Sequence, residues 1–425
     1  MIPSHPPDAL LSPTVPVPVA QGTAGRRSRG LRVCAVSFKP CWRDDTGQWF
    51  SSGGFPLQMR AMASLFDEMV LVIVGVEPSA GEGQGEGGIS LPPLARVVPL
   101  RGPRGRDARR KLSIAARLPY YLWKLGTNIR RADVVHVPLP GDIPLLGLLT
   151  ALLLRKRTIV RYGGSWPTNG QTTMMNRFTK ACMRRFAGGR NVMLATGAGA
   201  DGPAPGMRWI FSTALSDEEL ERVSPCLERG IAATPRLIYV GRLSPEKGVP
   251  TLLRALASLA GSGFVPLPHI TLAGDGPQRA ELEALTGELG IRDMVTFRGQ
   301  LDRAALSAEL LLADLCVQPS LTEGFSKAWL DAMAHGLPVL ASDVGAARAV
   351  IGDERERGWL VRPGDVGALA DELRDVLTAP IDWPALRGRC REYVEGRTLG
   401  AWAREIGEQC VRQWDWTLAN GRLRP

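Results

Sequence analysis

The amino-acid sequence predicts an α/β protein of two doubly wound, Rossmann-like domains that face each other across a cleft. Its 425 residues exceed one ordinary core and suit two or three domains of about 100–200 residues each. Short, nearly all-apolar segments alternate with helical patterns, which is typical of a parallel sheet covered on both faces. The alternation pauses near residues 206–235 and then starts again, so two such units are expected.

The composition narrows the class of protein. Hydrophobic residues make up 44% and charged residues 22%, as in a globular protein, and no apolar run reaches the about 20 residues of a membrane helix. The seven cysteines form no Cys-x-x-Cys pair, which argues against a disulfide framework or structural zinc and favours the cytoplasm. Residues 1–30 hold six prolines and no apolar signal-peptide core, so they are predicted to be a flexible tail.

The first domain is predicted over residues 31–205. Its strands are expected at six apolar segments: 31–36, 69–74, 95–100, 133–137, 158–162 and 191–195. Gly53 and Gly54 follow the first strand in a long loop, where the absence of side chains would let the backbone approach a phosphate. They form no Gly-x-Gly-x-x-Gly fingerprint, so a dinucleotide cofactor is not supported.

The second domain is predicted over residues 206–396. Ser216 and Glu219 form a capping box that opens a short helix, and a Pro/Ala-rich linker follows. A second strand–helix series then begins, with strands expected at 236–241, 270–274, 294–297, 315–319, 339–342 and 358–361. Two α/β domains in one chain place a cleft between them, a favoured location for a ligand.

The last segment, residues 397–425, is predicted to form a closing helix packed on the domains. Trp402, Trp414 and Trp416 recur there at loosely helical spacing. Aromatic residues in such a pattern favour burial of one helix face against a core.

Two basic residues follow the first strand of the second domain. The segment from Gly241 to Gly248 reads GRLSPEKG and leads into a predicted helix. Ligands of open α/β sheets bind outside the carboxyl ends of the strands, and a helix N-terminus there favours anions. Arg242 can make a forked contact with phosphate, and Lys247 adds a mobile charge. The alternative is a solvated turn with ordinary surface cations.

Two carboxylates follow a later strand of the same domain. Glu323 lies at the entrance of the next predicted helix, and Asp331 stands eight residues further on, about two turns along and on roughly the same face. Carboxylates so placed can hold a polyhydroxylated group from two points. The alternative is that Glu323 only complements the helix dipole and that Asp331 is a solvated helix residue.

In their order and spacing, these segments resemble the retaining, nucleotide-sugar-dependent glycosyltransferases of family 4. The matching stretches are YVGRLSPEKG, LAGDGP, VTFRGQL, PSLTEGFSKAWLDAMAHGLPVLASDVGA and GWLVRPGD. The resemblance is strongest from about residue 235 to 375, weaker from 31 to 205, and absent in the first 30 residues. It implies the GT-B architecture of two facing Rossmann-like domains.

The resemblance also implies roles at matching positions. Arg242 and Lys247 match the pair that holds the donor diphosphate, and Glu323 matches the acid beside the donor sugar, so these three are the implied catalytic residues. The implied donor-binding positions contact phosphate, nucleobase, sugar or ribose: Gly53, Gly54, Gly241, Arg298, Gly299, Gly324, Phe325, Ser326 and Asp331.

The sequence departs from the family pattern at two of these places. Asp331 is one methylene shorter than the usual glutamate, and the usual first-domain histidine is absent from RYGGSWP, where Gly163 or Gly164 takes its place. His136 closes a strand and is interpreted as a core histidine. The departures keep open a second hypothesis, a sugar-nucleotide-binding protein of the same fold without catalysis.

The implied reaction is retaining transfer of a sugar from a nucleotide-sugar donor to an acceptor glycan or lipid-linked glycan. Such a reaction serves polysaccharide, lipid-linked oligosaccharide or glycoconjugate biosynthesis. No Asp-x-Asp occurs in the chain, so no metal is expected at the diphosphate and no cofactor is expected elsewhere. Positive side chains are expected to stabilise the departing phosphate instead.

The net charge of +10 is unevenly distributed, with +13 in residues 31–205 and −5 in residues 206–425. Residues 96–131 hold eleven basic residues and one acid. A basic amphipathic segment suits an anionic membrane surface, which would make the protein peripheral at the inner face of the cell membrane; the alternative is a solvated helix whose apolar side belongs to the core. The apolar residues of segment 96–131 at helical spacing are Leu118, Tyr121, Leu122 and Leu125, beside Trp123.

No nucleic-acid-binding motif occurs in the sequence, so nucleic acid is not expected as a partner.

Overall fold

Two large sheets, each covered by helices on both faces, organise the protein. The computed structural model describes residues 30–76 and 88–425, except residues 104, 106, 169–171, 226 and 354 and the side chains of residues 107 and 108. The predicted amino-terminal tail, apart from residue 30, lies outside the described residues. Residues 31–425 belong to one compact unit, so the two sheets can be described together.

The first sheet has nine strands. Its parallel part runs in the order β5-β3-β1-β6-β7-β8-β9, and β2 and β4 add antiparallel strands to the far end of β1. Its elements are β1 Arg32–Arg43, β2 Trp49–Ser52, α1 Phe55–Ala63, β3 Glu68–Gly75, β4 Gly88–Ser90, β5 Ala95–Arg101, α2 Asp107–Ala116, α3 Leu118–Arg130, β6 Val134–Leu139, α4 Asp142–Leu153, β7 Arg157–Tyr162, α5 Met174–Phe186, β8 Asn191–Thr196 and β9 Met207–Ile210.

The second sheet has six parallel strands in the order β12-β11-β10-β13-β14-β15. Two short 3₁₀ turns, Pro245–Lys247 and Arg292–Met294, interrupt its connections. Its elements and those that follow are α6 Asp217–Arg222, β10 Arg236–Val240, α7 Val249–Gly261, β11 His269–Ala273, α8 Arg279–Glu288, β12 Val295–Gly299, α9 Arg303–Leu312, β13 Leu315–Gln318, α10 Lys327–Ala334, β14 Val339–Ser342, α11 Ala347–Ile351, β15 Gly358–Val361, α12 Val366–Thr378, α13 Trp383–Val394, α14 Leu399–Trp414, β16 Thr417–Ala419 and β17 Arg422–Arg424.

All twelve strand segments expected from the sequence are strands in the structure. The central ones are nearly continuous apolar runs that two helical layers bury, whereas the edge strands β5 and β12 are largely unburied. The helix start predicted at Ser216 is also present, since the Ser216 hydroxyl accepts from the Glu219 amide at 3.0 Å; the capping box is incomplete, because the Glu219 carboxylate accepts from Arg303 instead. Two features differ from expectation. The loop expected after the first strand is partly the antiparallel β2, and β9 carries the first sheet past residue 205, where the sequence placed the end of that domain.

The end of the chain packs on the first sheet. Helix α14 buries Trp402 and Ile406 in the core beneath β1, β3 and β8. It ends at Trp414, because Asp415 adopts a left-handed conformation with φ of 55°. Trp416 therefore lies outside the helix, with its ring 4.9 Å from that of Trp414, and leads into the β16–β17 hairpin.

The chain crosses between the sheets twice, and the two crossing segments are bonded to each other. The Leu399 amide donates to the Leu215 carbonyl at 2.8 Å, and the Thr398 hydroxyl donates to Asp217 at 2.7 Å. The segment that leads from the first sheet to the second, near Leu215, is thus hydrogen-bonded to the segment that returns, near Leu399. Within the described residues, no helix is both long and apolar enough to cross a membrane.

Candidate active site

The site lies where strand order reverses in the second sheet. Strand β10 has β11 on one side and β13 on the other, so the loops after β10 and β13 leave the sheet in a crevice at its carboxyl edge, the usual ligand position of such sheets. Loop 241–248 carries Arg242 and Lys247, and loop 319–326 carries Glu323.

Lys247 and Glu323 are brought together as an ion pair that is mostly shielded from solvent. The Leu321 amide donates to the Glu246 carbonyl at 2.9 Å, which ties one loop to the other. Gly248 makes this approach possible, since its φ is +66° and a Cβ there would stand 2.1 Å from the Pro319 oxygen. Gly248, the last residue of the GRLSPEKG motif, therefore allows the two loops to bring Lys247 and Glu323 together.

The Glu323–Gly324 backbone is fixed by a third loop. The Ala346 amide donates to the Gly324 carbonyl at 3.0 Å. Gly345, with φ of +58°, passes so close that a Cβ would lie 2.1 Å from the Glu323 oxygen. The side chain of Phe325 is buried and packs on a core tryptophan, so only the backbone of that residue is available to a donor.

Arg242 is exposed beside this pair, as a phosphate ligand would need to be. Its carbonyl accepts from the buried Tyr239 hydroxyl at 2.9 Å, which fixes the loop. Lys39, at the end of the parallel part of β1, faces it across the cleft. Burial lowers the pKa of Lys39, and the charge of Arg242 lowers it further. Part of the Lys39 side chain nevertheless remains exposed to solvent.

Asp331 is buried on α10 rather than solvated. Its Oδ1 pairs with Arg303 at 2.9 Å, and the same guanidinium bonds Glu219 of α6. Burial lowers the pKa of Arg303, but the two carboxylates outweigh that effect and raise it overall. The pairing occupies one carboxylate oxygen and leaves Oδ2 as the acceptor for a hydroxyl group.

Arg298 is not part of this cluster in the structure. Its Nε pairs with Glu309 of α9 at 2.8 Å, and about half of its side chain is exposed on the flank of the edge strand β12. Gly299, next to it, has φ of +67° and bonds the Gly274 amide at 2.8 Å. The described contacts thus bring Lys247 and Glu323 together, with Arg242 on the same loop as Lys247, and leave Arg298 apart from them.

The Gly53–Gly54 loop reaches the second sheet directly. A Cβ on Gly54 would stand 2.6 Å from the Nζ of Lys327 and 3.2 Å from the Cβ of Ala214. Gly53 has φ of +69°, and a Cβ there would have nothing within 4 Å. The loop that the sequence indicated therefore lies at the N-terminus of α10.

The turn that lacks the family's histidine also reaches the second sheet. A Cβ on Gly324 would lie 3.0 Å from the carbonyl of Gly164 and 3.1 Å from the amide of Ser165. Backbone therefore packs against backbone where the family usually places an imidazole. His136 is fully buried, which agrees with its interpretation as a core histidine, and its Nδ1 lies 3.0 Å from the Ile159 oxygen. Its ring is only half satisfied, however, because the buried Nε2 has no hydrogen-bond partner among the described residues.

Arg161, just before that turn, is a buried cation on β7. It donates to Gln58 at 2.9 Å and to Thr196 at 3.2 Å. Burial lowers its pKa to about 10. Burial and then the Arg161 charge also lower the pKa of His136 to about 3.

Sequence reasoning missed four cations of this region. These are Lys327 and three cations whose charges influence its pKa, namely Lys39, Arg161 and Arg303. A signal was present for two of them, because Arg161 interrupts an apolar strand and Lys327 stands four residues before Asp331, on the same helix face. Among the described residues, no group of three His, Cys, Asp or Glu side chains is placed to hold a metal ion.

Part of the chain is similar in sequence to known proteins. Residues 230–397 match the family model described as glycosyl transferases group 1. The alpha-D-kanosaminyltransferase of Streptomyces kanamyceticus is 34% identical over 177 residues, 42% of this chain and 44% of the relative. The MMP alpha-(1->4)-mannosyltransferase of Mycolicibacterium hassiacum is 42% identical over 141 residues, which are 33% of this chain and 32% of the relative. The chain thus spans less than half the length of these curated relatives.

Solved structures are similar over nearly the whole chain. Sucrose-phosphate synthase from Thermosynechococcus elongatus has a TM-score of 0.67 at 22% identity and covers 91% of this chain and 99% of its own. Anabaena HepE in complex with UDP-glucose has a TM-score of 0.66 at 18% identity, with 90% and 100% covered. Residues 230–397 therefore match the glycosyl transferases group 1 family, and the chain has the GT-B fold.

Proposed function

We propose that the protein is a glycosyltransferase that transfers a sugar from a nucleotide-sugar donor to an acceptor glycan or lipid-linked glycan, with retention of configuration and without a metal. The observation that carries the proposal is the placement of Lys247, Glu323 and Arg242 at the switch point of the second sheet. The relatives are named as transferases of several sugars, and HepE was solved with UDP-glucose. Both support a nucleotide-sugar donor.

The geometry accounts for the chemistry of the leaving group. As the glycosidic bond breaks, negative charge accumulates on the nucleoside diphosphate, and Arg242, Lys247 and the N-terminus of α10 stabilise it. The diphosphate competes with Glu323 for the Lys247 ammonium, which frees the carboxylate for a sugar hydroxyl. Retention follows from attack on the face that the phosphate leaves, with a phosphate oxygen taking the acceptor proton.

Substitution of the two cations tests this proposal. Arg242→Met or Lys247→Met is expected to reduce turnover at least about 100-fold, the scale of losing one charge-stabilising donor. The measurement is release of nucleoside diphosphate from a radiolabelled nucleotide sugar. Arg254→Met, on the exposed side of α7, is the matched control and should leave turnover unchanged. Near-normal turnover in both cleft variants would contradict the assignment.

A second candidate function is a sugar-nucleotide-binding protein without catalysis. Asp331 in place of glutamate and the glycine backbone at Gly164 favour it, because both alter positions that the family uses for substrate contacts. A thermal-shift screen with UDP-, GDP- and ADP-sugars measures donor binding independently of turnover. A raised melting temperature without diphosphate release at any acceptor would support this second candidate.

We place the enzyme in the cytoplasm, held at the inner face of the cell membrane by residues 96–131. Helix α3 turns Tyr121 and Leu125 into the core, so part of its apolar pattern is structural. Trp123 and Leu112 remain 60% and 72% exposed beside the basic residues. Each cation near an anionic surface adds about 1 kcal/mol of attraction.

Liposome co-sedimentation tests the membrane proposal. Binding should rise with the anionic lipid fraction and fall in a Leu112→Ser, Trp123→Ser double variant. A variant with Leu153→Ser, an equally exposed apolar residue at the end of α4, is the control. Indifference to anionic lipid content would reject membrane docking.

A further inference from the structure

Lys180 of α5 is a buried lysine whose partners are a carbonyl group and two aromatic rings. Only 2% of the residue is exposed. Its Nζ donates to the Pro167 carbonyl at 3.3 Å and lies 5.3 Å and 6.0 Å from the ring centroids of Tyr162 and Trp166. Within the described part of the chain no carboxylate pairs with it. Burial of an ammonium without a counter-ion costs free energy, so packing alone does not account for a lysine at this position.

The two rings support the turn that follows β7. They meet edge to face, with the centroids of Tyr162 and Trp166 5.6 Å apart, and the Trp166 Nε1 donates to the Pro203 carbonyl at 3.2 Å. A Cβ on Gly164 would lie 3.3 Å from the Cε1 of Tyr162, so the Tyr162 ring packs directly against Gly164. Lys180 therefore contacts both ends of the turn, through a ring before it and a carbonyl after it.

The same turn contacts the loop that carries Glu323. The Gly164 carbonyl and the Ser165 amide lie 3.0 Å and 3.1 Å from the point where a Cβ on Gly324 would stand. On its other side, Gly324 accepts from the Ala346 amide at 3.0 Å. The Gly324 amide itself donates to the Glu323 Oε1 at 3.2 Å. A displaced turn would therefore leave one side of the Glu323–Gly324 backbone without support.

We propose that Lys180 is a positioning residue for Glu323. Its ammonium fixes the turn after β7, and the turn supports the Glu323 loop from across the cleft. Gly164 has no side chain that could reach the second sheet, so the position of its backbone decides whether the support is made. The effect of Lys180 on turnover rests on the proposed function, whereas its effect on the Glu323 loop does not.

The melting temperature separates positioning from a purely structural role. Methionine has nearly the shape of lysine without the charge, so Lys180→Met keeps the packing of α5 and removes a costly buried ammonium. The Pro167 carbonyl, which loses its donor, belongs to an exposed residue and can bond water instead. The melting temperature should therefore stay unchanged or rise, although the turn loses a hydrogen bond and its cation–π contacts.

The first measurement is hydrogen–deuterium exchange of the full-length protein. In Lys180→Met, the backbone amides of residues 322–326 should exchange about fivefold faster, the factor that corresponds to one lost hydrogen bond, while exchange in β10 and β13 stays unchanged. Lys180→Arg keeps a cation for the carbonyl and the rings, so exchange should stay near that of the wild type. Arg177→Met, which removes an exposed cation of the same helix, is the matched control.

The second measurement compares turnover with donor affinity in the same variants. Release of nucleoside diphosphate from a nucleotide sugar should fall about tenfold in Lys180→Met, because small misplacements of a catalytic group are costly. The Kd of UDP, GDP or ADP, from calorimetric titration, should not change, since Arg242 and Lys247 lie on a different loop. Lys180→Arg should recover most of the lost turnover, and Arg177→Met should lose none.

The outcomes distinguish this proposal from the proposed function. Unchanged exchange at residues 322–326 in Lys180→Met, or faster exchange with normal turnover, would overturn the positioning role. A lower melting temperature with faster exchange throughout the first sheet would also overturn it, because a structural role alone gives that result. If the wild type releases no diphosphate with any acceptor while exchange at 322–326 still depends on Lys180, the proposed function fails and the positioning of the loop stands.

Discussion

Replacement of Arg303 by methionine should destabilise the protein strongly, because one guanidinium serves two carboxylates. It pairs with Asp331 at 2.9 Å and bonds Glu219 at 3.0 Å, and the two carboxylate side chains are only 7% and 16% exposed. Removing one partner of a buried pair costs about 3–5 kcal/mol, since a charge is left without a counter-ion. Glu219 can still reach water, so we expect the lower end, about 3 kcal/mol.

Urea denaturation measures this change as a difference in the free energy of unfolding. Arg374→Met is the matched control: its partner Asp371, at 2.9 Å, is 73% exposed, so its loss should cost less than about 1 kcal/mol. The double variant Arg303→Met, Asp331→Leu removes both buried charges and should recover part of the loss. An Arg303→Met protein within about 1 kcal/mol of wild type, or a double variant less stable than the single one, would refute the reasoning.

Two further predictions concern backbone and pH. Gly345→Ala should lower the free energy of unfolding by more than about 2 kcal/mol and reduce donor turnover, because its Cβ would strike the Glu323 carbonyl. Gly53→Ala, at an equally left-handed but open position, is the control and should cost only about 1 kcal/mol. Equal shifts of the melting temperature in the two variants would contradict this difference. Hydrogen bonds from Arg424, the Leu31 amide and Arg422 lower the pKa of Asp67 below its usual range, so its stabilisation is present at neutral pH and is lost as the pH falls below about 4. Asp67→Asn should therefore cost up to about 1 kcal/mol at pH 7 and almost nothing near pH 2, as followed by denaturation at both pH values.

The strands and the loop cations of the second sheet were predictable because their signals are local. Apolar runs mark the strands, and GRLSPEKG places Arg242 and Lys247 within one loop after β10. The pairing of Lys247 with Glu323 across 76 positions was not predicted, although both residues lie in loops that follow parallel strands. The strands and the loop cations follow from short-range patterns, whereas this pairing follows from the topology of the sheet.

The remaining contacts depend on packing between distant segments, which no short pattern reports. Arg303 looks like a surface residue in sequence, and only the position of α9 against α10 brings it to Asp331. Lys327 meets Gly54 only because the two sheets face each other. The Asp331 carboxylate is held by Arg303, a neighbour that the sequence does not single out.

The position of helix α14 has a consequence for how the two halves of the chain fold. Trp402, Ile406 and Leu423, which follow the second sheet in sequence, complete the apolar core beneath β1 and β3 of the first sheet. The first sheet therefore keeps an uncovered apolar face until these later residues pack on it, whereas the second sheet has cores of its own. A fragment that stops near residue 396 is expected to leave that face of the first sheet open.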